Sequence, residues 1–208
     1  MTTMEIGKLL RASTSGCVVG CRVSQIDAPA FGCLVRIPMD EAGDVQVYGL
    51  VYDMHIDDDG LVRQLVTAEG VPDDVILDNR VNRNVPVEIS VLFVGYIRGG
   101  VVHHLLPPRP PLTLDAMYLA SAEELCAFTS VGRFGYFRHV LRAADLPVGE
   151  LLAAHLQQAA QAQPPAAQSN GAGGWLDNAV RELITLLRDD YPTLMGVLGA
   201  LSDARLME

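Results

Sequence analysis

Asp53-Met54-His55-Ile56-Asp57-Asp58-Asp59-Gly60 is the stretch richest in ligand-type side chains. In an extended strand, residues two apart share a face. Asp53, His55, Asp57 and Asp59 would then stand together. Three carboxylates and an imidazole on one face suit a hard divalent cation, which is the basis for reading the chain as a metal-dependent enzyme. A plainer reading needs no ion. A solvated strand face would run into an acidic turn, with Gly60 supplying the positive φ such turns use. The spacing is not that of an EF-hand loop, and we assign no metal site.

Arg80 and Arg83, set among Asn79, Asn82 and Asn84, could grip a phosphate or a carboxylate. Together with the face of a β-barrel they would make a nucleic-acid-binding site. Ion pairing to the neighbouring Asp73, Asp74 and Asp78 accounts for them as well. His103 and His104 are adjacent, so in a strand they point to opposite faces and cannot share one ion; a structural role is expected. The four cysteines, Cys17, Cys21, Cys33 and Cys126, form no C-x-x-C pair and no zinc pattern. In a strand, Cys17 and Cys21 face the same way, and small buried hydrophobes are their expected role.

Several chemistries are missing. Lys8 is the sole lysine, and it sits in no G-x-x-x-x-G-K-[ST] phosphate loop. G-x-G-x-x-G, G-x-S-x-G and H-E-x-x-H are also absent. No catalytic or cofactor-binding residue is assigned, and no cofactor is expected. The formal net charge is −10, and both halves of the chain are acidic. Direct nucleic-acid binding is disfavoured, because it needs a cationic surface.

The elements that would position these residues change character at Leu105-Leu106-Pro107-Pro108-Arg109-Pro110-Pro111. Proline lacks the N–H and fixes φ, so this run belongs to neither a helix interior nor a central strand. It reads as an extended, rigid connector rather than as a proline-rich ligand for a partner's groove. Before it, strands are expected over 6–10, 16–23, 31–38, 45–56, 87–97 and 101–106, with a helical insertion near 61–85. Arg98-Gly99-Gly100 is a hairpin turn. Short strands at close spacing with glycine turns indicate a small barrel.

After the prolines the period becomes helical. Ser121-x-x-Glu124 is a capping box opening a helix through Leu125 and Phe128. A second helix is expected over 134–144. A third follows Pro147, with Val148, Leu151, Leu152, His155 and Leu156 on one face. Alanine, glutamine, proline and glycine dominate 157–174, which reads as a linker that begins as helix. Leu176, Val180, Leu183, Ile184 and Leu187 make one apolar stripe, and Leu194, Met195, Leu198 and Leu201 another. Asp190-Tyr191-Pro192 between them marks an αα-hairpin. The expected organisation is an α+β chain: an antiparallel barrel over 1–111, a helical region over 112–162, a flexible linker over 163–174 and a helical hairpin over 175–208. Half the residues are hydrophobic, enough for a real core. No secretory leader and no span of bilayer length is read, so the expected location is the cytoplasm.

Gln46-Val47-Tyr48-Gly49-Leu50-Val51-Tyr52, Val94-Gly95-Tyr96, the proline run, and Glu123-Glu124 with Phe128 together resemble the HAS-barrel family. This is the barrel shared by HerA-type DNA translocases and the N-terminal part of ATP-synthase catalytic subunits. Trp175-Leu176 and Leu187-Arg188-Asp189-Asp190-Tyr191 are similar to standalone bacterial members without the ATPase motor. The resemblance implies an HAS-like barrel acting as an assembly collar, with no catalytic residue of its own. The expected function is thus a non-enzymatic assembly or protein-interaction module, an accessory to a separate ATPase or nuclease in DNA processing. Its partners would be that protein or identical subunits in a homo-oligomer. The alternatives are the metal-dependent enzyme and the nucleic-acid binder described above.

Overall fold

The two longest strands carry apolar runs because both of their faces are covered along part of their length, Val47–Val51 in one and Phe93–Gly95 in the other. Val45–Ile56 forms β4 and Val87–Arg98 forms β5. Around them are β1 (Glu5–Ala12), β2 (Gly16–Cys21), β3 (Leu34–Pro38), β6 (Val101–His103) and β7 (Ala116–Leu119). The structure, a computed structural model, describes residues 4–21, 29–40, 42–56, 60–82, 87–164 and 174–207. All pairings are antiparallel. The order β2-β1-β7-β3-β4-β5 closes on itself through β2–β5, giving a six-stranded barrel. β6 is a short return strand on β5, joined by Gly99 and Gly100, both at positive φ.

One cluster of buried residues draws on all six barrel strands, and only the lumen is shared by all six. It contains Ile6, Leu9, Cys17, Val19, Val35, Ile37, Val47, Val51, Ile89, Val91, Phe93 and Met117, among others. So small a barrel is filled by its own side chains. The alternate residues Leu34, Tyr48, Leu50 and Val94 point outward and join a second cluster with the helices. A bulge in β5 between the partners of Tyr48 and Gly49 leaves Val94 as the extra residue, so that Val94 and Gly95 in succession both face the helices.

The barrel does not end at the proline run. β7 lies beyond it and fills the gap between β1 and β3. Helices alone were expected there. The connection from β6 therefore travels around the barrel, with Pro107 and Pro111 buried along it. It is tied down just before β7: Leu114 N–H donates to Leu9 O at 2.9 Å, and Leu9 N–H donates to Asp115 O at 3.0 Å. The return strand is also shorter than the expected 101–106, because His104 leaves it to pack beneath a helix.

The helical part contains α3 (Ala122–Thr129), a 3-10 turn (Gly132–Phe134), α4 (Phe137–Leu141), α5 (Val148–Ala162), α6 (Trp175–Leu186) and α7 (Tyr191–Asp203). The capping box forms as expected: Ser121 Oγ accepts from Glu124 N–H, and Glu124 Oε2 accepts from Ser121 N–H at 2.8 Å. The other Glu124 oxygen lies 2.9 Å from Arg36 Nε of β3, although the N–H does not aim at it. Arg36 is 14 % exposed, so this pair fixes α3 to the barrel away from bulk water. Glu124→Ala should cost about 2 kcal/mol by removing both links. Glu124→Gln keeps the cap and should recover part of it, as read by urea unfolding.

The helix expected over 134–144 is cut to five residues. Arg133 and Phe134 both have positive φ, and α4 starts only at Phe137. Asp190 caps α7 by accepting from Thr193 N–H, with Pro192 in the first turn. α6 and α7 follow one another but pack little on each other, so the expected αα-hairpin is not formed as a packed pair: α7 lies chiefly on α5, and α6 on the 3-10 turn and α5. Ala179, Leu183, Leu187, Val197 and Leu201 enter the same core as the outward barrel residues. The expected linker falls almost wholly outside the described residues, at 165–173. Just before it, Gln163 is buried and donates to Thr129 Oγ1 at 3.2 Å, anchoring the end of α5 to α3. Among the described residues no helix is long and apolar enough to cross a membrane.

Candidate functional site

The acidic segment is only partly placed. Asp53 and His55 lie at the end of β4, exposed, opposite Ser90 and Glu88. Asp57 and Asp59 lie outside the described residues. Among the described residues, no three His, Cys, Asp or Glu side chains gather to hold a metal ion. Arg83 lies outside the described residues, as does the side chain of Arg80. Cys17, Cys21 and Cys33 are buried in the lumen cluster, whereas Cys126 is half-buried in α3. Burial pushes the Cys17 and Cys33 thiols up to about 12, which makes them poor nucleophiles at neutral pH.

The histidines gather at the seam between barrel and helices. His104 is buried after β6, and its Nε2–H donates to Phe128 O at 3.0 Å. Its ring meets those of Phe128 and Tyr136 at 4.9 and 5.1 Å. The His104 carbonyl accepts from Arg138 and, at 3.1 Å, from His139 Nε2. His155, on α5, is fully buried. A carbonyl can only accept, so Nδ1 carries the proton and donates to Gly32 O at 3.2 Å. Nε2 then accepts from the Tyr136 hydroxyl at 3.1 Å.

Burial drives His155 down to about 4, with the Gly32 hydrogen bond opposing. Burial also lowers His104 and His139. These are neutral, satisfied histidines that bolt α5, α4 and the loop after β6 together. Gly32 makes the contact possible. Its φ is +78°, and a Cβ there would stand 2.8 Å from both Ala154 Cβ and His155 N. The apolar stripe on α5 had already included His155. The partners of that side chain come from distant parts of the chain and left no spacing to read.

Two open surfaces remain. The first is the insertion between β4 and β5, formed by α1 (Leu61–Thr67) and α2 (Asp73–Asn82). Asp73 and Asp74 sit in the first turn of α2, where the helix dipole favours negative charge. Neither helix packs extensively on another element. Their apolar residues consequently face solvent: Val66 is 78 % exposed, Ile76 48 % and Leu77 61 %. Helices of such length are marginal in water without tertiary packing. The second is a cavity of about 770 Å³ between the β1–β2 turn and α4. Arg11, Arg138 and Arg142 stand around it. Compared with known family models and with curated proteins, the sequence matches none.

Proposed function

We propose that this protein is a non-enzymatic protein-interaction module whose contact surface is the helical insertion between β4 and β5. The observation that carries this reading is the run Val75-Ile76-Leu77, exposed at all three positions in α2, with Val66 exposed in α1. Exposed apolar residues grouped on one excursion mark interaction surfaces. They also need a cover that the other described residues do not supply. The C-terminal helices leave Ile184, Leu186, Tyr191 and Met195 exposed but are anchored by Ala179, Leu183, Leu187, Val197 and Leu201 in the core shared with the barrel, whereas the insertion has no such anchor among the described residues. The contact surface is therefore assigned to the insertion rather than to the C-terminal helices.

The narrower reading rests on the resemblance to HAS barrels. In it, the partner is a separate ATPase or nuclease of DNA processing, or an identical subunit. Light scattering at micromolar concentration reads self-association, and capture from native lysate followed by mass spectrometry reads a second protein. The expected result is one or the other with the native chain, and its loss in Leu77→Asp with the melting temperature unchanged. A strict monomer that retains no stoichiometric protein, or an assembly indifferent to Leu77→Asp, overturns the proposal.

A further inference from the structure

The 770 Å³ cavity lies within the range of small-molecule sites. Its lining comes from five separate parts of the chain. Tyr52, Leu92, Leu106 and Leu146 give it an apolar body. Arg138, His139 and Arg142 stand along one wall from α4 and its C-terminal end, and Arg11 reaches in from β1. Ser13 and Ser15 form the facing turn, with their hydroxyls 3.1 Å apart.

Among the described residues no aspartate or glutamate lines this cavity, although the chain as a whole carries −10. Arg11 has an exposed partner in Glu88 at 3.3 Å. Neither Arg138 nor Arg142 has a carboxylate partner among the described residues. Arg138 is held in place by donating to the His104 carbonyl. The side-chain charges that act on His139 are these two arginines, and both push it down in the same direction as burial. Around Arg138 and Arg142 the cavity is therefore a positive field, unbalanced by any carboxylate among the described residues, over an apolar floor in an otherwise acidic molecule. Guanidinium groups grouped this way match carboxylate or phosphate oxygens. The apolar floor matches a hydrocarbon or aromatic body.

We propose that this cavity binds a small organic anion with an apolar body and a carboxylate or phosphate head. The head contacts Arg138 and Arg142, and the body lies on Tyr52 and Leu92. The proposal stands apart from the interaction surface on α1 and α2, and either can fail alone.

Titration calorimetry of the full chain tests it with 1-naphthyl phosphate, 1-naphthoate, neutral 1-naphthol and inorganic phosphate. The expected result is saturable binding of at least one naphthyl anion, with 1-naphthol and inorganic phosphate weaker by about tenfold or more. The stronger of the two anions identifies the head group. Arg142 is exposed and outside the core, so Arg142→Glu should leave the melting temperature unchanged while weakening the anion by about tenfold or more. No saturable binding, equal binding of 1-naphthol, or full affinity in Arg142→Glu overturns the assignment.

Discussion

Replacing Phe128 by alanine is expected to destabilise the fold by about 3–5 kcal/mol, the usual cost of removing a buried phenyl ring. For a chain of this size the melting temperature should fall by roughly 10 °C or more. Phe128 has no exposed surface. Its ring stacks on Tyr48 at 5.1 Å and meets His104 at 4.9 Å and Tyr136 at 5.7 Å. It thus touches the barrel wall, the loop after β6 and the α4 region at once. The site is poorly able to collapse around a void, because Tyr48 and His104 are themselves fixed from behind. The barrel even gives way to this ring: a Cβ at Gly95 would stand 2.8 Å from Phe128 Cζ and 2.6 Å from His103 O. Phe128→Leu should cost much less, about 1 kcal/mol. Thermal unfolding of the two variants beside the native chain reads the difference. Equal, small losses would mean that the seam is not packed as described.

Acid should loosen the same seam in a defined window. The folded pKa of His155, about 4, lies below its ordinary value of 6.5. As the pH falls, the unfolded chain takes up this proton first. Stability present above pH 6.5 is therefore lost between about 6.5 and 4. The full loss from this one group is on the order of 3 kcal/mol. His104 and His139, lowered in the same direction, add to it. His155→Leu leaves the Gly32 carbonyl and the Tyr136 hydroxyl without their partner, so it should start less stable at neutral pH. It should also lose less on acidification. Urea unfolding of both proteins at several values from pH 7 to 4.5 measures the two slopes. Identical slopes would remove His155 as the source.

How far each element could be read depended on how locally it was encoded. Val45–Ile56 was legible because its middle, Val47–Val51, is buried on both faces and makes an apolar run, with β-formers on either side and an acidic stretch next in the sequence. The Ser121–Glu124 cap was legible because its partners are three residues apart. β7 was not. Ala116-Met117-Tyr118-Leu119 is four residues long, puts Met117 in the lumen with Leu119 half-buried against the same cluster, and follows a proline run that looks like a terminus of the barrel. Helix periodicity overran at 134–144, where positive φ at Arg133 and Phe134 breaks what the apolar spacing continues. Arg11, Arg138 and Arg142 escaped notice for another reason. The barrel brings together residues far apart in the chain, and no motif spans that distance. The prominent acidic segment drew attention by its density alone, and its two described members, Asp53 and His55, are exposed.

The late position of β7 has a kinetic consequence. Without it, the pairings β1–β2, β2–β5, β5–β4 and β4–β3 leave an open five-stranded sheet with unpaired backbone along β1 and β3. A chain leaving the ribosome N-terminus first must hold both of these edges until residue 119 is available. Open edges are where strands of other chains add on. The proline run is a stiff tether that narrows the search of the closing strand. Its four residues then remove both edges in a single step, and only afterwards can α3 to α5 cover Tyr48, Leu50 and Val94.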